Sequence, residues 1–492
     1  MYWLWRKVVS LISEKKLPDN AFWRYFLLIC SIPHPSGHEA ALRDTLIGEA
    51  RRYGLDCRVD AAGNLAIDRP AAAGCENWPG VILQAHLDMV PQVADNVEFD
   101  FLRDAVVPQV DGAWVTTGGR TTLGADDGMG VALAMELLTD PDLRCGALRG
   151  LFTVSEETGL GGAEALQADF LDGDVLINLD SDEPFTIGCA GGARLQGQKV
   201  MAVKPADPDK KGVRFTLKGM HGGHSGVDIH LNVGSAAVVM GEFLKELNGF
   251  DLSMVKAGTL HNAIAREAVA EGAMANDKLA EARQLAAEYT DKLNQTLIPN
   301  PGDRITLSVD LLPDVPEQVL TCEAQSALLD VWGGLPHGVL AQTADSAVET
   351  SSNLAVVNGR AGAEWSFIVL ARSLFDARRD AVVNQAMNLL QRNGFAGQVD
   401  SAYSSWEPKY ESALLKYACN VYRDLYKRDA RIAVIHGGLE PGIFCGMKPD
   451  LQMISFAPAT EGVHSPQEKL NIADSEQCRK LLRTLLERIV EM

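Results

Sequence analysis

The chain has 492 residues, of which 47% are hydrophobic and 22% are charged, an ordinary composition for a globular protein in aqueous solution. This length exceeds the size at which one hydrophobic core usually keeps growing, so we expect two domains. The formal net charge of −20 argues against nucleic acid and anionic membranes as partners, because both are recognised by basic patches.

Nine cysteines are scattered along the chain, and no two of them have the C-x-x-C spacing. Such an odd, unpatterned set is typical of a reducing compartment rather than of a disulfide framework. The apolar N-terminus reaches Arg6 and Lys7 too soon for a signal peptide, and no run approaches the roughly 18 apolar residues of a membrane span. We therefore expect a cytoplasmic protein.

Helices and strands alternate in the first part of the chain. The segment Ser36-Gly37-His38-Glu39 has the form of a capping box, which predicts a helix that ends at Gly54. Strands that alternate with helices imply a largely parallel sheet. Apolar patterns predict a hairpin of 57–59 with 65–67, followed by a buried strand at 81–86. Further strands are predicted at 150–154 and 175–179, and a helix at 131–138.

After the glycine-rich stretch at 188–192 this alternation stops, which predicts an α+β insertion. We expect one α/β catalytic domain with a mostly parallel sheet, built from residues 1–187 and 402–492 and interrupted by a lid domain at 188–401. The predicted strands of the insertion are 213–217, 304–311 and 365–370, and its helices are 235–247, 277–297 and 376–390. The closing α/β part has strands at 432–435 and 453–456 and a helix at 474–490.

A histidine and an aspartate two positions apart, His86 and Asp88, stand at the carboxyl end of the buried strand 81–86. Open α/β sheets keep their ligand sites at this end of the strands. A metal-ligating imidazole normally donates its other ring N–H to a carboxylate, so His86 would be the ligand and Asp88 the group that orients it. A histidine that caps a strand before a turn is an equally simple interpretation of the pair alone.

Four more candidate ligands follow predicted strands or precede helices: Asp126, Glu157, Asp180 and His464. Each has an ordinary structural interpretation. Asp126 could be the N-cap of a helix, and Glu157 could be a solvated surface charge. Together with His86, however, they make two histidines and three carboxylates, a set that suits two divalent ions of borderline softness. Two such ions activate water and polarise a carbonyl, and Glu156 would be the general base.

The ordered motifs resemble those of the bacterial aminoacyl-histidine dipeptidases, also called peptidase D or cytosol non-specific dipeptidases. That family belongs to the co-catalytic di-zinc exopeptidases, which include carnosinases and aminoacylases. The resemblance extends from about Ile32 to the C-terminus. The motifs that carry it are HLDMVP, TLGADDGMG, SEETG, NLDSDE, CAGG, GGHSG, HNAIAREA, HGGLEPG and VHSP.

The resemblance implies a division of labour among the ligands. His86 and Asp180 would bind one zinc, Glu157 and His464 the other, and Asp126 would bridge the two. The peptide bond from Asp126 to Asp127 would be cis. Manganese or cobalt could occupy the same set of ligands.

The resemblance also gives roles to the inserted domain, which joins two protomers into a homodimer in this family. His224 would stabilise the oxyanion, usually in the partner's active site. Asn262 and Arg372 would hold the terminal carboxylate of a small peptide, a task that suits the forked guanidinium. Glu440 would pair with the free amino group.

The leading hypothesis is therefore metal-dependent hydrolysis of unblocked dipeptides, with Xaa-His peptides among the candidate substrates. An amidohydrolase or deacylase that acts on N-acyl amino acids is an alternative with the same ligands. A catalytically inactive dimeric scaffold is a third interpretation, which the complete ligand set and Glu156 disfavour.

Overall fold

The computed structural model describes residues 16–181, 184–344 and 346–492, which divide into two compact units. Within the described residues, the first unit runs to Gly188 and includes Trp406–Val434 and Leu439–Met492. The second unit comprises Cys189–Ser405 together with the short return Ile435–Gly438, which the sequence patterns do not predict. Both ends of the described chain therefore build one unit around a long insertion.

A mixed eight-stranded sheet forms the centre of the first unit. Its four middle strands are parallel, which confirms the predicted parallel sheet at the position that matters for the site, and the flanking strands are antiparallel. In spatial order the strands are Asp56–Val59, Leu65–Arg69, Leu148–Thr153, Val81–His86, Val175–Asn178, Gln452–Ser455, Phe185–Cys189 and Ile432–Ile435. The first two form the predicted hairpin.

The sequences of the middle strands are largely apolar because both faces of these strands are covered. Val81–His86 is buried at all six positions. The helix Ala125–Leu138 is buried almost all round, so its first turns carry no amphipathic signal and only 131–138 could be predicted. The other helices of the unit are Ala21–Cys30, Ala40–Arg52, Gly161–Glu164, Ala413–Tyr426, Glu440–Met447 and Ile472–Glu487. A small antiparallel sheet contains Gln109–Asp111, Trp114–Thr116, Thr460–Glu461 and Lys469–Asn471.

The predicted capping box is wrong, because both of its side chains are used elsewhere. The helix begins only at Ala40, and Glu39 makes no capping hydrogen bond to it. Ser36 Oγ instead donates to Asp88 Oδ2 at 2.7 Å, and Glu39 Oε1 accepts from the Ser155 N–H at 3.1 Å. These two residues tie the chain before the helix to loops that carry candidate site residues.

The second unit is built on a nine-stranded antiparallel sheet. Several of its strands were not predicted, because strands such as Val348–Arg360 are buried on both faces and show no alternation. The strands are Thr306–Leu311, Lys211–Lys218, Ala268–Met274, Phe250–Ala257, Val348–Arg360, Glu364–Ser373, Gly191–Val200 and Ala396–Tyr403, with Gly338–Gln342 paired beside Val348–Arg360. Its main helices are Ala236–Glu246, Leu279–Thr296, Cys322–Gly334 and Asp376–Arg392.

The half-buried His337 is expected to make the stability of the second unit depend on pH. The Nδ1 atom of His337 accepts the Leu354 N–H at 3.1 Å, and burial lowers the pKa of the ring to about 4. The neutral ring is therefore favoured in the folded state, and its contribution is lost as the pH falls from 6.5 towards 4, at about 1.4 kcal/mol per pH unit. Thermal unfolding between pH 7.5 and 5 should show a shallower pH dependence for His337→Gln than for wild type.

The exposed His38 provides the matched control for that measurement. His38→Gln should follow the wild-type curve. An identical pH dependence in wild type and His337→Gln would contradict the assignment.

Candidate metal centre

Three neighbouring parallel strands end at the same edge of the first unit's sheet and bring most of the candidate residues together. His86 is the last residue of Val81–His86, the glutamates follow Leu148–Thr153, and Asp180 follows Val175–Asn178. Asp126 joins them from the start of the helix Ala125–Leu138. His464 comes from the turn after Thr460–Glu461, where its backbone has φ 61°.

Asp126 lies between the two histidines and presents one carboxylate oxygen to each. Its Oδ1 is 3.0 Å from His86 Nε2, and its Oδ2 is 3.2 Å from His464 Nε2. Asp180 Oδ1 is 3.8 Å from His86 Nε2, and Glu157 Oε1 is 2.8 Å from His464 Nε2. The ligand atoms of His86, Asp126 and Asp180 lie within 4.8 Å of one another, as do those of Asp126, Glu157 and His464. Two sets of side chains, each close enough together to hold one metal ion, therefore share the carboxylate of Asp126. The peptide bond from Asp126 to Asp127 is cis.

The nitrogen and oxygen atoms of these side chains face one another across a small space. Glu157 Oε1 is buried and has no hydrogen-bond partner, although His464 Nε2 lies only 2.8 Å away. Buried carboxylate oxygens are normally hydrogen-bonded, so an orphaned oxygen beside an imidazole nitrogen fits a position for a cation. The residues present therefore fit the divalent ions that the ligand set implies.

The charges of the cluster also favour bound cations. Burial and repulsion from Asp126 raise the pKa of Asp180 well above its usual value, and burial together with neighbouring carboxylates does the same for Glu156. The carboxylate of Asp126, which lies within hydrogen-bonding distance of His464 Nε2, and the nearby carboxylate of Glu157 raise the pKa of His464 to about 10. Four carboxylates crowd around two imidazoles, an excess of negative charge that divalent cations would neutralise.

Asp88 does more than orient His86. His86 Nδ1 lies 3.0 Å from the Asp88 backbone oxygen and 3.5 Å from its carboxylate. The carboxylate itself accepts the N–H groups of Glu156 at 2.9 Å and Glu157 at 3.2 Å. Burial alone would raise the pKa of Asp88, but His86 and the hydrogen bonds from the Ser36 hydroxyl and the Glu156 N–H lower it to about 2. Asp88 is therefore an ionised anchor for the loop that carries both glutamates.

Glu468 is a second anchor, and the sequence patterns did not single it out. Its buried carboxylate accepts backbone N–H groups of the loop that ends at Asp126. The contact spans 342 residues of chain, so no local pattern could have identified it. Burial raises the pKa of Glu468 to about 7.

Glu440 lies in a chain of hydrogen-bonded side chains that crosses the buried strands. Its Oε2 accepts from Gln84 at 2.5 Å and from Thr153 at 2.7 Å, and Gln84 in turn accepts from Asn178 at 2.6 Å. The side chain of Glu440 has no exposed surface, and burial raises its pKa to about 7. This burial does not support the predicted contact with a substrate amino group, which stays a prediction.

The remaining predicted residues belong to the second unit. His224 pairs with Ala263 in a two-stranded ladder, and the Ser225 N–H donates to the Asn262 oxygen at 2.8 Å, so the loops of His224 and Asn262 lie together. The Gly226 N–H donates to His224 Nδ1 at 3.3 Å. Arg372 comes from the strand Glu364–Ser373; it donates to Tyr403 Oη at 2.6 Å, and its buried Nε has no hydrogen-bond partner.

Two histidines and four carboxylates gather where the carboxyl ends of three parallel strands meet a helix entry and a turn, an arrangement typical of a metal-dependent hydrolase. Comparison with known proteins makes the class specific. The chain belongs to peptidase family M20/M25/M40, whose model matches residues 82–488. This finding confirms the predicted resemblance and the predicted fold class.

The chain is 36% identical over 481 residues to the cytosol non-specific dipeptidase of Escherichia coli strain K12, covering 96% of this chain and 98% of that protein. The crystal structure of aminoacylhistidine dipeptidase from Vibrio alginolyticus is 34% identical, with a TM-score of 0.82 over 96% of this chain and 97% of that one. Human carnosine dipeptidase 1, at 11% identity and a TM-score of 0.52 over 100% and 99% of the two chains, shares the fold.

Proposed function

We propose that this protein hydrolyses unblocked dipeptides with two divalent metal ions, most simply Zn²⁺, in the candidate metal centre. The observation that carries the proposal is the placement of Asp126, whose two oxygens face different histidines. His86 and Asp180 would hold one ion, Glu157 and His464 the other, and Asp126 both. When bound, such ions lower the pKa of a water molecule and polarise the peptide carbonyl.

The protein's own groups then move the protons. Glu156 is adjacent to the proposed ligand Glu157, and one of its carboxylate oxygens lies within 4.8 Å of a ring nitrogen of His86 and of a carboxylate oxygen of Glu157. Burial raises its pKa well above the usual value, which suits a group that must both take and return a proton. Glu156 would accept the proton of the attacking water and deliver it to the leaving amine.

The second unit would supply the substrate contacts. Arg372 is a buried guanidinium with an unpartnered Nε, which supports a role in holding the terminal carboxylate with Asn262. His224 would stabilise the oxyanion, and in a homodimer it would serve the partner protomer. Its Nδ1 accepts the Gly226 N–H, which supports a neutral ring that presents Nε2 as a donor.

We also propose that the protein is cytoplasmic. None of the nine cysteines, all of which lie in the described residues, forms a disulfide, which agrees with a reducing compartment. No helix in the described part of the chain combines the length and the apolarity that a membrane crossing needs.

A substrate panel with defined metals tests the proposed function. Metal-free protein should be inactive and should recover activity with Zn²⁺, Mn²⁺ or Co²⁺. Unblocked dipeptides, including Xaa-His, should be cleaved, whereas the same dipeptides with an acetylated N-terminus and the corresponding N-acyl amino acids should react little. Faster turnover of N-acyl amino acids would identify an amidohydrolase instead, and a metal-free protein with full activity would overturn the proposal.

A further inference from the structure

Glu468 joins the two loops that carry Asp126 and His464. It lies four positions after His464, in the same turn. Its two oxygens each accept two backbone N–H groups from consecutive residues across the site. The donors are Leu123 at 2.7 Å and Gly124 at 3.0 Å to Oε2, and Ala125 at 2.8 Å and Asp126 at 3.2 Å to Oε1.

These four bonds account for the burial of the carboxylate, since Glu468 is only 2% exposed. A buried carboxylate is strongly destabilising unless its oxygens are hydrogen-bonded, and here both are fully used. The amides belong to the segment that leads into the helix Ala125–Leu138, where Asp126 and Asp127 do not have helical backbone angles. The backbone of Asp126 is therefore held by Glu468 without any contribution from a metal.

The two histidines of the site are held in different ways. His86 is 1% exposed at the end of a central strand, so the sheet fixes it. The His464 side chain is 50% exposed, and its turn is closed by bonds within itself, from Ser465 Oγ to the Gly462 oxygen at 2.7 Å and from the Glu468 N–H to the Ser465 oxygen at 3.0 Å. The side chain of Glu468 connects this self-contained turn to Asp126.

We infer that Glu468 is a positioning residue that sets the separation of His464 and Asp126 before metal binds. It thereby controls the affinity of the metal position formed by Asp126, Glu157 and His464, and has less effect on the position of His86 and Asp180. This inference rests on the proposed function, and it adds that the two metal positions depend on Glu468 to different extents for their affinity.

The test compares full-length wild type with Glu468→Gln and with the control Glu461→Gln. Glu461 is an exposed residue of the strand just before this turn, and it pairs with Lys469 at the surface. Hydrogen exchange of the metal-free proteins, followed by mass spectrometry of peptides spanning 121–128, reports on the four amides. Only Glu468→Gln should exchange faster there, because a carboxamide offers one acceptor oxygen in place of two.

Zinc titration of the same proteins gives the second readout. In Glu468→Gln the first zinc should bind as in wild type and the second roughly 10-fold to 100-fold more weakly. Raising the zinc concentration should then restore much of the lost activity. Glu461→Gln should bind both ions as wild type does.

If Glu468→Gln shows wild-type exchange at 121–128, or faster exchange there with both zinc affinities unchanged, the inference is overturned. The proposed function would remain. Equal weakening of both positions would also overturn the inference. A wild-type protein that binds no zinc would overturn the proposed function, and the exchange data would still show whether Glu468 holds the loop. If Glu468→Gln does not fold, Glu468→Asp keeps the charge with a shorter reach, and wild-type exchange and zinc affinities in that variant count against the inference.

Discussion

Glu156→Gln is expected to lower kcat by roughly 10²-fold to 10⁴-fold, because a carboxamide cannot accept the proton of the attacking water. The substitution keeps the shape of the side chain and removes none of the five proposed ligands. Metal content should therefore remain at the wild-type level. Steady-state kinetics on a cleaved dipeptide, together with metal analysis of the purified variant, measure both quantities.

Glu164→Gln is the matched control for this substitution, since Glu164 is an exposed glutamate in the helix that follows the same loop. It should have wild-type kinetics. Near wild-type turnover of Glu156→Gln with its metals bound would contradict the role of general base. Loss of metal together with activity would make Glu156 a ligand instead.

The strand-end residues of the site could be predicted because of a simple property of parallel sheets. The carboxyl ends of parallel strands meet at one edge, so polar residues that directly follow buried strands must come close together. This argument applies to His86, Glu157 and Asp180, and the register of the three strands agrees with it. Asp126 lies at a helix entry and His464 in a turn, so this argument does not apply to them; they were added to the set as residue types that bind metal at loop positions, and the resemblance of their motifs supported that choice.

The anchors of the site could not be predicted, because their partners are distant in the chain. Glu468 binds amides more than 340 residues away, and Asp88 binds the amides of a loop 68 residues away. The pattern Ser36 to Glu39 even suggested a local use, a capping box, which tertiary contacts override. Sequence periodicity reports local burial, whereas these contacts depend on which loops the completed sheet brings together.

The same limitation explains the second unit. Its strands Gly191–Val200 and Val348–Arg360 were not predicted, since one begins with glycines and the other is buried on both faces. Where alternation is clear, as in Lys211–Lys218, the strand was predicted. In this unit, local pattern therefore identifies a strand with clear alternation and misses strands in which glycines or a long buried stretch obscure it.

Asp88→Asn is expected to lower kcat by roughly 10-fold to 100-fold while both metal ions remain bound. Both oxygens of the carboxylate accept backbone N–H groups, from Glu156 and Glu157, and an asparagine can accept at only one of them. One of these partly buried N–H groups would lose its partner, which weakens the hold on the loop of the general base. The contact between His86 Nδ1 and the Asp88 backbone oxygen remains, so the first ion should keep its affinity.

This outcome separates two roles that the sequence alone assigns to one residue. If Asp88 acted mainly through the imidazole of His86, Asp88→Asn would lose zinc affinity in proportion to activity. If it acts mainly on the loop of Glu156, activity should fall while zinc titration still gives the wild-type stoichiometry. The exposed Asp95 offers the control Asp95→Asn, which should change neither quantity. Loss of zinc from Asp88→Asn at wild-type kcat per bound zinc would contradict the loop role, because the base would then still be correctly placed.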